Sequence, residues 1–309
     1  LCREWVVTLM AVGALVPTFF TSMGLVFLLH PRIGVVNRIF VDAFGLGESP
    51  FNIASIIGMG WVEGLGLSSL AFIMIVATYR SMDPSLEEVG RVHGLKLLQT
   101  LRHITLPLTF PGILAAAIYI FTIGLSAFEV PAIIGMSNKI FTFSTFIFYK
   151  MQPLEELPNY GVAGAVSSLL VVLALLLSWW YFRVLRFSSR YAVVTGRAYR
   201  PKLVELGRRG QLFAWIFLGF FFLVAKLLPF LLLAWAALLS YFQPPSWAAL
   251  NQVSLRNFYG LPWNLMLAGA LNTLLLMLAV PTLTLIVCLA ISWVILRSEL
   301  KWRIVFDAL

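Results

Sequence analysis

Six stretches of about twenty or more mostly apolar residues, at roughly 5–29, 56–79, 108–132, 161–182, 211–241 and 264–296, constrain this chain more than anything else in it. A helix needs ~20 such residues to cross ~30 Å of hydrocarbon. In lipid every backbone N–H and C=O must find its partner inside the protein, which favours helices as the spanning form. The prediction is an all-α, polytopic membrane protein with six crossings. Composition agrees, at 61% hydrophobic and 11% charged against about 45–50% apolar and about 25% charged in soluble domains. No run has the short apolar core and small-residue cleavage site of a signal peptide. The chain opens without a methionine, and residues 302–309 resemble the approach to a further helix, so we expect a piece of a longer polypeptide cut at both ends.

Cytoplasmic loops collect Lys and Arg. The loop 80–107 carries Arg80, Arg91, Lys96 and Arg102; the loop 183–210 carries eight basic residues, from Arg183 to Arg209; the tail adds Arg297, Lys301 and Arg303. The opposite side holds only Arg32, Arg38, Lys139, Lys150 and Arg256. The rich side is cytoplasmic, and the net charge of +9 is explained by topology and lipid headgroups, with no need for nucleic acid as a partner. Two cysteines, Cys2 and Cys288, have no metal-ligand spacing; Cys288 is expected to pack as a small hydrophobe.

Within the spans, Pro17 predicts a kink in the first. The segment 30–55 is too mixed to cross and reads as an external loop with short helical pieces. Gly58, Gly60, Gly64 and Gly66 recur at spacings that permit close helix approach. Phe128-Glu-Val-Pro131 makes the outer end of the third span irregular, and 133–160 is a long external loop. Trp179-Trp-Tyr181, followed by Arg183 and Arg186, marks a cytoplasmic interface. The Arg/Lys density of the polar stretch 186–210 makes it the natural boundary between two membrane units; we place the division near residue 205, giving a first unit over 1–205 and a second over 206–309. The fifth span contains Lys226 and Pro229, and Lys226 is expected to snorkel along its own stem.

The cytoplasmic loop 80–107 differs from the rest of the chain because it is polar and helix-forming. Asp83 can cap a helix that starts at Pro84, or Ser85 and Glu88 can form a capping box. Gly94 suits the left-handed position that ends the helix, so about ten residues give roughly 15 Å of rod. A second helical piece, Lys96 to His103, precedes re-entry into the bilayer at Pro107. Leu86, Val89, Val92 and His93 fall on one face, which can press into a groove of a partner or lie on lipid. His93 and His103 have no partner at metal spacing and receive no catalytic role.

Glu87-Glu88-Val89-Gly90, Gly94 and Ile104-Thr-Leu106-Pro107 together resemble the loop signature of binding-protein-dependent ABC importer permeases: Glu-Ala-Ala, three residues, Gly, nine residues, Ile-x-Leu-Pro. The spacing matches throughout; Val89 and Gly90 replace the two alanines, the glycine at a helix cost of ~1 kcal/mol. The resemblance implies a MetI-like permease fold and a coupling helix seated in a cytoplasmic ATPase dimer, with Glu88 in contact and Gly94 setting the turn. It also implies a periplasmic substrate-binding protein, a bacterial inner-membrane location and alternating access. The phosphate-cradling Gly-x-x-x-x-Gly-Lys-Ser/Thr pattern is absent, so the chain is expected to be no enzyme and to hold no cofactor, with ATP and Mg²⁺ bound by the ATPase.

Met82-Asp-Pro-Ser-Leu-Glu-Glu and Phe128-Glu-Val-Pro-Ala-Ile-Ile-Gly135 look most like the fused two-unit permeases of the ferric-iron type. That resemblance makes the chain the last four spans of one unit and the first two of the next, with ferric iron as the leading substrate and polyamine, thiamine or sulfate as alternatives. Ionisable groups within a membrane are functional candidates. Glu63 and Glu129, near outer ends of spans, would suit a cation, and Asn272-Thr273 could line the path or glue helices. An ion-coupled secondary transporter is the alternative class, but it would want carboxylates nearer mid-bilayer.

Overall fold

The computed structural model of the chain describes residues 2–83, 85–152, 157–188 and 207–297. Among them every regular element is helical: α1 (Cys2–Ala14), α2 (Thr18–Leu29), α3 (Val35–Phe44), α4 (Ile56–Ser81), α5 (Ser85–Val92), α6 (Leu97–Leu125), α7 (Phe143–Met151), α8 (Tyr160–Ser188), α9 (Gly207–Ala237) and α10 (Trp263–Arg297), with short turns between them. Five helices, α4, α6, α8, α9 and α10, are long and apolar enough to cross a membrane, and α1 with α2 makes a sixth if that pair is one span. The fold is all-α, as expected.

Three boundaries differ from the expectation. The first span is broken, because Pro17 has no N–H for the helical ladder and α1 and α2 meet at 93°. The third begins well before 108: α6 runs from Leu97 to Leu125 through a π-helical turn at Leu101–Thr105. That turn leads into Pro107, whose ring and missing N–H would break an α-helical ladder; the wider turn takes up the misfit. The helix stops at Leu125, and Pro131–Gly135 forms a separate π-helical turn, in keeping with an irregular outer end. The expected division near residue 205 and the residues 302–309 lie outside the described residues.

By compactness the chain separates into two units, one made of residues up to Ala237 plus Tyr241–Asn251, the other of Leu238–Ser240 and residues from Gln252 onward. In the first, α4 packs on α1 and α6, α8 packs on α6 and α7, and α2 packs most extensively on the Leu228–Ala237 part of α9. Its core, Leu25, Leu28, Leu29, Ile53, Met59, Val62, Val130, Ile134 and Leu232, joins α2, the start of α4, the segment after α6 and the end of α9. Arg183 lies 5.5 Å over the Trp179 ring, as suits a basic residue beside an interfacial aromatic belt. In the second unit α10 continues through Pro281, and Cys288 is exposed on it rather than packed as a core hydrophobe.

The segment 30–55 is tied to the core by Ile53, with Val35, Val36 and Ala54 packed beside it, and by the Asn37 amide. Asn37 is 1% exposed; its Nδ2 donates to Leu29 O at 2.8 Å, Phe51 O at 2.8 Å and His30 O at 3.2 Å, while its Oδ1 accepts from Phe51 N at 3.0 Å. Buried backbone groups left without partners cost about 1–3 kcal/mol each. Asn37→Ala is therefore expected to lower the unfolding midpoint of the detergent-solubilised protein by at least ~5 °C. Asn37→Asp, which keeps the acceptor but loses the donors, should do almost as much harm; an unchanged midpoint in both would remove the amide from this role.

Candidate functional site

The cytoplasmic loop forms a small, tightly closed unit. At its start Asp83 Oδ1 accepts from Ser85 N at 2.9 Å, so Asp83 caps α5, and that bond holds the Asp83 carboxyl below its ordinary range. The helix has eight residues rather than ten, roughly 12 Å. At its end Gly94 has φ +80°, Gly94 N donates to Arg91 O at 2.9 Å and Leu95 N to Gly90 O at 3.0 Å. These are the two bonds of a Schellman turn.

α5 folds back on the start of α6 through Glu87 and Gly90. Thr105 Oγ1 donates to Glu87 Oε1 at 2.6 Å. Gly90 is buried, and a methyl group there would stand 2.5 Å from Ile104 Cδ1 and 3.3 Å from Leu95 Cδ1. The glycine thus trades helix propensity for a close seat on Ile104, a benefit its sequence position alone did not disclose. Leu106 and Pro107 are exposed on the cytoplasmic part of α6, and His93 Nδ1 and His103 Nδ1 lie 2.8 Å and 2.9 Å from the carbonyls of Val89 and Gln99, one turn back on their own helices.

With Glu87 and Gly90 turned inward, the opposite face of α5 presents Glu88, Val89, Arg91 and Val92. Val89 is 55% and Val92 85% exposed, values that leave two branched apolar side chains uncovered on a short cytosolic helix. Leu86, one turn before Val89, is half-buried at the edge of this face; the helix is rotated so that its smallest residue meets α6. Residue type alone does not separate the roles of Glu87 and Glu88, and Thr105, the partner of Glu87, was missed although it sits inside the Ile-x-Leu-Pro segment.

Near the outer side, a cleft of about 520 Å³ opens between α4, α6 and the segment after α6, lined by Glu63, Gly60, Gly64, Phe121, Phe141 and Thr142 among others. Glu63 Oε2 is buried with no hydrogen-bond partner, and the exposed Glu129 lies within its electrostatic reach. The four glycines of α4 divide accordingly: Gly58 and Gly66 take close contacts, from the Ile53 backbone and Thr18, whereas Gly60 and Gly64 leave open space. Asn272 is exposed on α10, and the Thr273 hydroxyl donates to Gly269 O at 2.8 Å within its own helix instead of gluing another. Asn272 belongs to the second unit.

Residues 1–188 match the family described as binding-protein-dependent transport system inner membrane component. The chain belongs to that family. The family is one of inner-membrane components of transport systems, and the several long apolar helices fit a multi-pass membrane protein. Among curated relatives, a ferric transport system permease protein FbpB from Actinobacillus pleuropneumoniae is 22% identical over 62% of this chain and 27% of its own length. A sulfoquinovosyl glycerol transport system permease protein SmoG from Agrobacterium fabrum is 24% identical over 55% of this chain and 56% of its own length. An inner membrane ABC transporter permease protein YdcU from Escherichia coli is 27% identical over 33% of this chain and 32% of its own length. The chain spans about a quarter of the length of the ferric permeases it matches. No solved structure matches it.

Proposed function

We propose that this chain is part of the pore-forming permease of an ATP-driven importer, which takes a small solute from a periplasmic binding protein and releases it in the cytoplasm by alternating access. The observation that carries this reading is the α5 face: a short helix, fixed to α6 by Glu87–Thr105 and by the Gly90–Ile104 contact, that leaves the side chains of Val89 and Val92 exposed. A rod held rigidly on one side can pass force from its other side into the span that follows, because α6 is one continuous helix from the loop to the outer side. The occupant of that face is a cytoplasmic ATPase dimer, which binds ATP and Mg²⁺ and supplies the energy.

Ferric iron is the substrate this reading puts first. The name of the ferric relatives supports it, and so does the cleft at Glu63, where a carboxylate oxygen lacks a protein partner and a second carboxylate stands near. Glu63 and Glu129 would then receive the cation on the outer side of the path. The test is made on the full-length permease in its native operon background. A cysteine at Val92 should form a crosslink to the ATPase subunit, and uptake of radioactive iron should vanish when that subunit is removed while resisting collapse of the proton and sodium gradients. Uptake that persists without the ATPase and stops with the gradient would make the protein a secondary transporter instead.

A further inference from the structure

Lys226 is a basic residue deep inside a helix that otherwise reads as a membrane span. It is the twentieth residue from the start of α9, roughly 28 Å along it, and lies in a π-helical turn, Leu223–Leu227. It does not snorkel along α9 to an interface. Its Nζ donates to Gly13 O at 3.0 Å, across to the last turn of α1.

The sequence explains why that carbonyl is available. In a continuing helix Gly13 O would accept from the N–H of residue 17, but residue 17 is proline and has none. A carbonyl left bare in hydrocarbon costs several kcal/mol, and the C-terminus of a helix also favours a cation. The ammonium supplies the missing donor. Its surroundings are fitted to it: a methyl group on Gly13 would stand 2.8 Å from Ser69 Oγ and 3.5 Å from Lys226 Cε. Ser69 is fully buried with its hydroxyl unpaired. The crevice that Lys226 shares with Val6, Leu9, Val16, Phe222 and Phe230 is almost wholly apolar, which suits the alkyl stem.

We propose that Lys226 is a positioning residue for transport: it replaces the amide that Pro17 lacks, holds the elbow between α1 and α2, and so makes the angle of that elbow depend on α9. One turn further along α9, Pro229 lies against α2 itself at Gly24, so α9 grips both arms of the elbow. Only the transport consequence rests on the importer reading; the elbow geometry does not.

The two arms, each roughly 20 Å long, end roughly 10 Å closer at a right angle than in line. Spin labels at Glu4→Cys and Arg32→Cys, in the full-length permease in nanodiscs with its other cysteines replaced by serine, report that distance by double electron–electron resonance. Lys226→Met should lengthen and broaden the distribution, Lys226→Arg should keep the native one, and uptake should fall at least tenfold in the first and less than threefold in the second. Restoring the amide provides an independent measurement. In a Pro17→Ala background, Lys226→Met should lower the unfolding midpoint by less than half of what it does beside Pro17. A native distance distribution in properly inserted Lys226→Met, or equal midpoint losses in the two backgrounds, would overturn the proposal. A native distance together with lost uptake would count against the elbow while leaving the importer reading standing.

Discussion

Gly24→Leu is expected to leave almost no correctly assembled protein. The Cβ alone would stand 2.5 Å from Pro229 Cα and 2.6 Å from Pro229 C, and backbone cannot rotate aside as a side chain can. α2 and the end of α9 would have to separate along the most extensive helix contact in the first unit, beside the core residues Leu25, Leu28 and Leu232. Overpacking a core costs about 1–3 kcal/mol even where side chains can yield, so a backbone-on-backbone clash belongs at or above the top of that range. Fluorescence-detected size exclusion after mild solubilisation would show the outcome as aggregate. Gly24→Ala should show a weaker form of the same defect, whereas Gly60→Ala, which meets open space on α4, should behave as the native chain. A monodisperse Gly24→Leu protein with a native midpoint would mean that α2 does not lie on Pro229.

Gly94→Pro should abolish transport without preventing insertion. Gly94 sits at φ +80°, which proline cannot reach, and its N–H is the donor to Arg91 O that proline lacks. Both bonds of the Schellman turn go with it, since Leu95 reaches Gly90 O only from that geometry. α5 then loses its fixed angle to α6 although Glu87 and Thr105 remain. On the importer reading proposed above, uptake falls more than tenfold, with the ATPase subunit still hydrolysing ATP but no longer responding to loaded binding protein. The affected residues lie in the cytosolic loop, so protein levels in the membrane should stay within about twofold of native. Gly94→Asn, which tolerates the left-handed region better than other residues with a side chain, should retain most uptake. If Gly94→Pro transports normally, the α5 face has no part in driving the spans.

Much of the loop 80–107 was legible in the order of residues because its signals are local. A cap, a glycine stop and a proline after Ile-x-Leu act within a few residues of themselves, and the helix and its turn appeared where those signals stood. The rotation of α5 was not legible. Which of Glu87 and Glu88 points inward depends on Thr105, eighteen residues later, and on the room that Gly90 leaves for Ile104. Neither carries a periodic mark in the sequence.

The membrane class and the presence of several long apolar helices follow from the sequence by itself, because hydrocarbon thickness acts on each segment separately, whatever its neighbours do. Tertiary structure alone decided how the segments end and meet. Pro17 announces a lost hydrogen bond but not whether the helix kinks gently or turns through 93°. The answer lies in Lys226, more than two hundred residues away, which meets the carbonyl that Pro17 leaves bare. Contacts between distant segments depend on which side chain happens to fill an unmet donor or a missing methyl group, and that pairing exists only once the helices are packed.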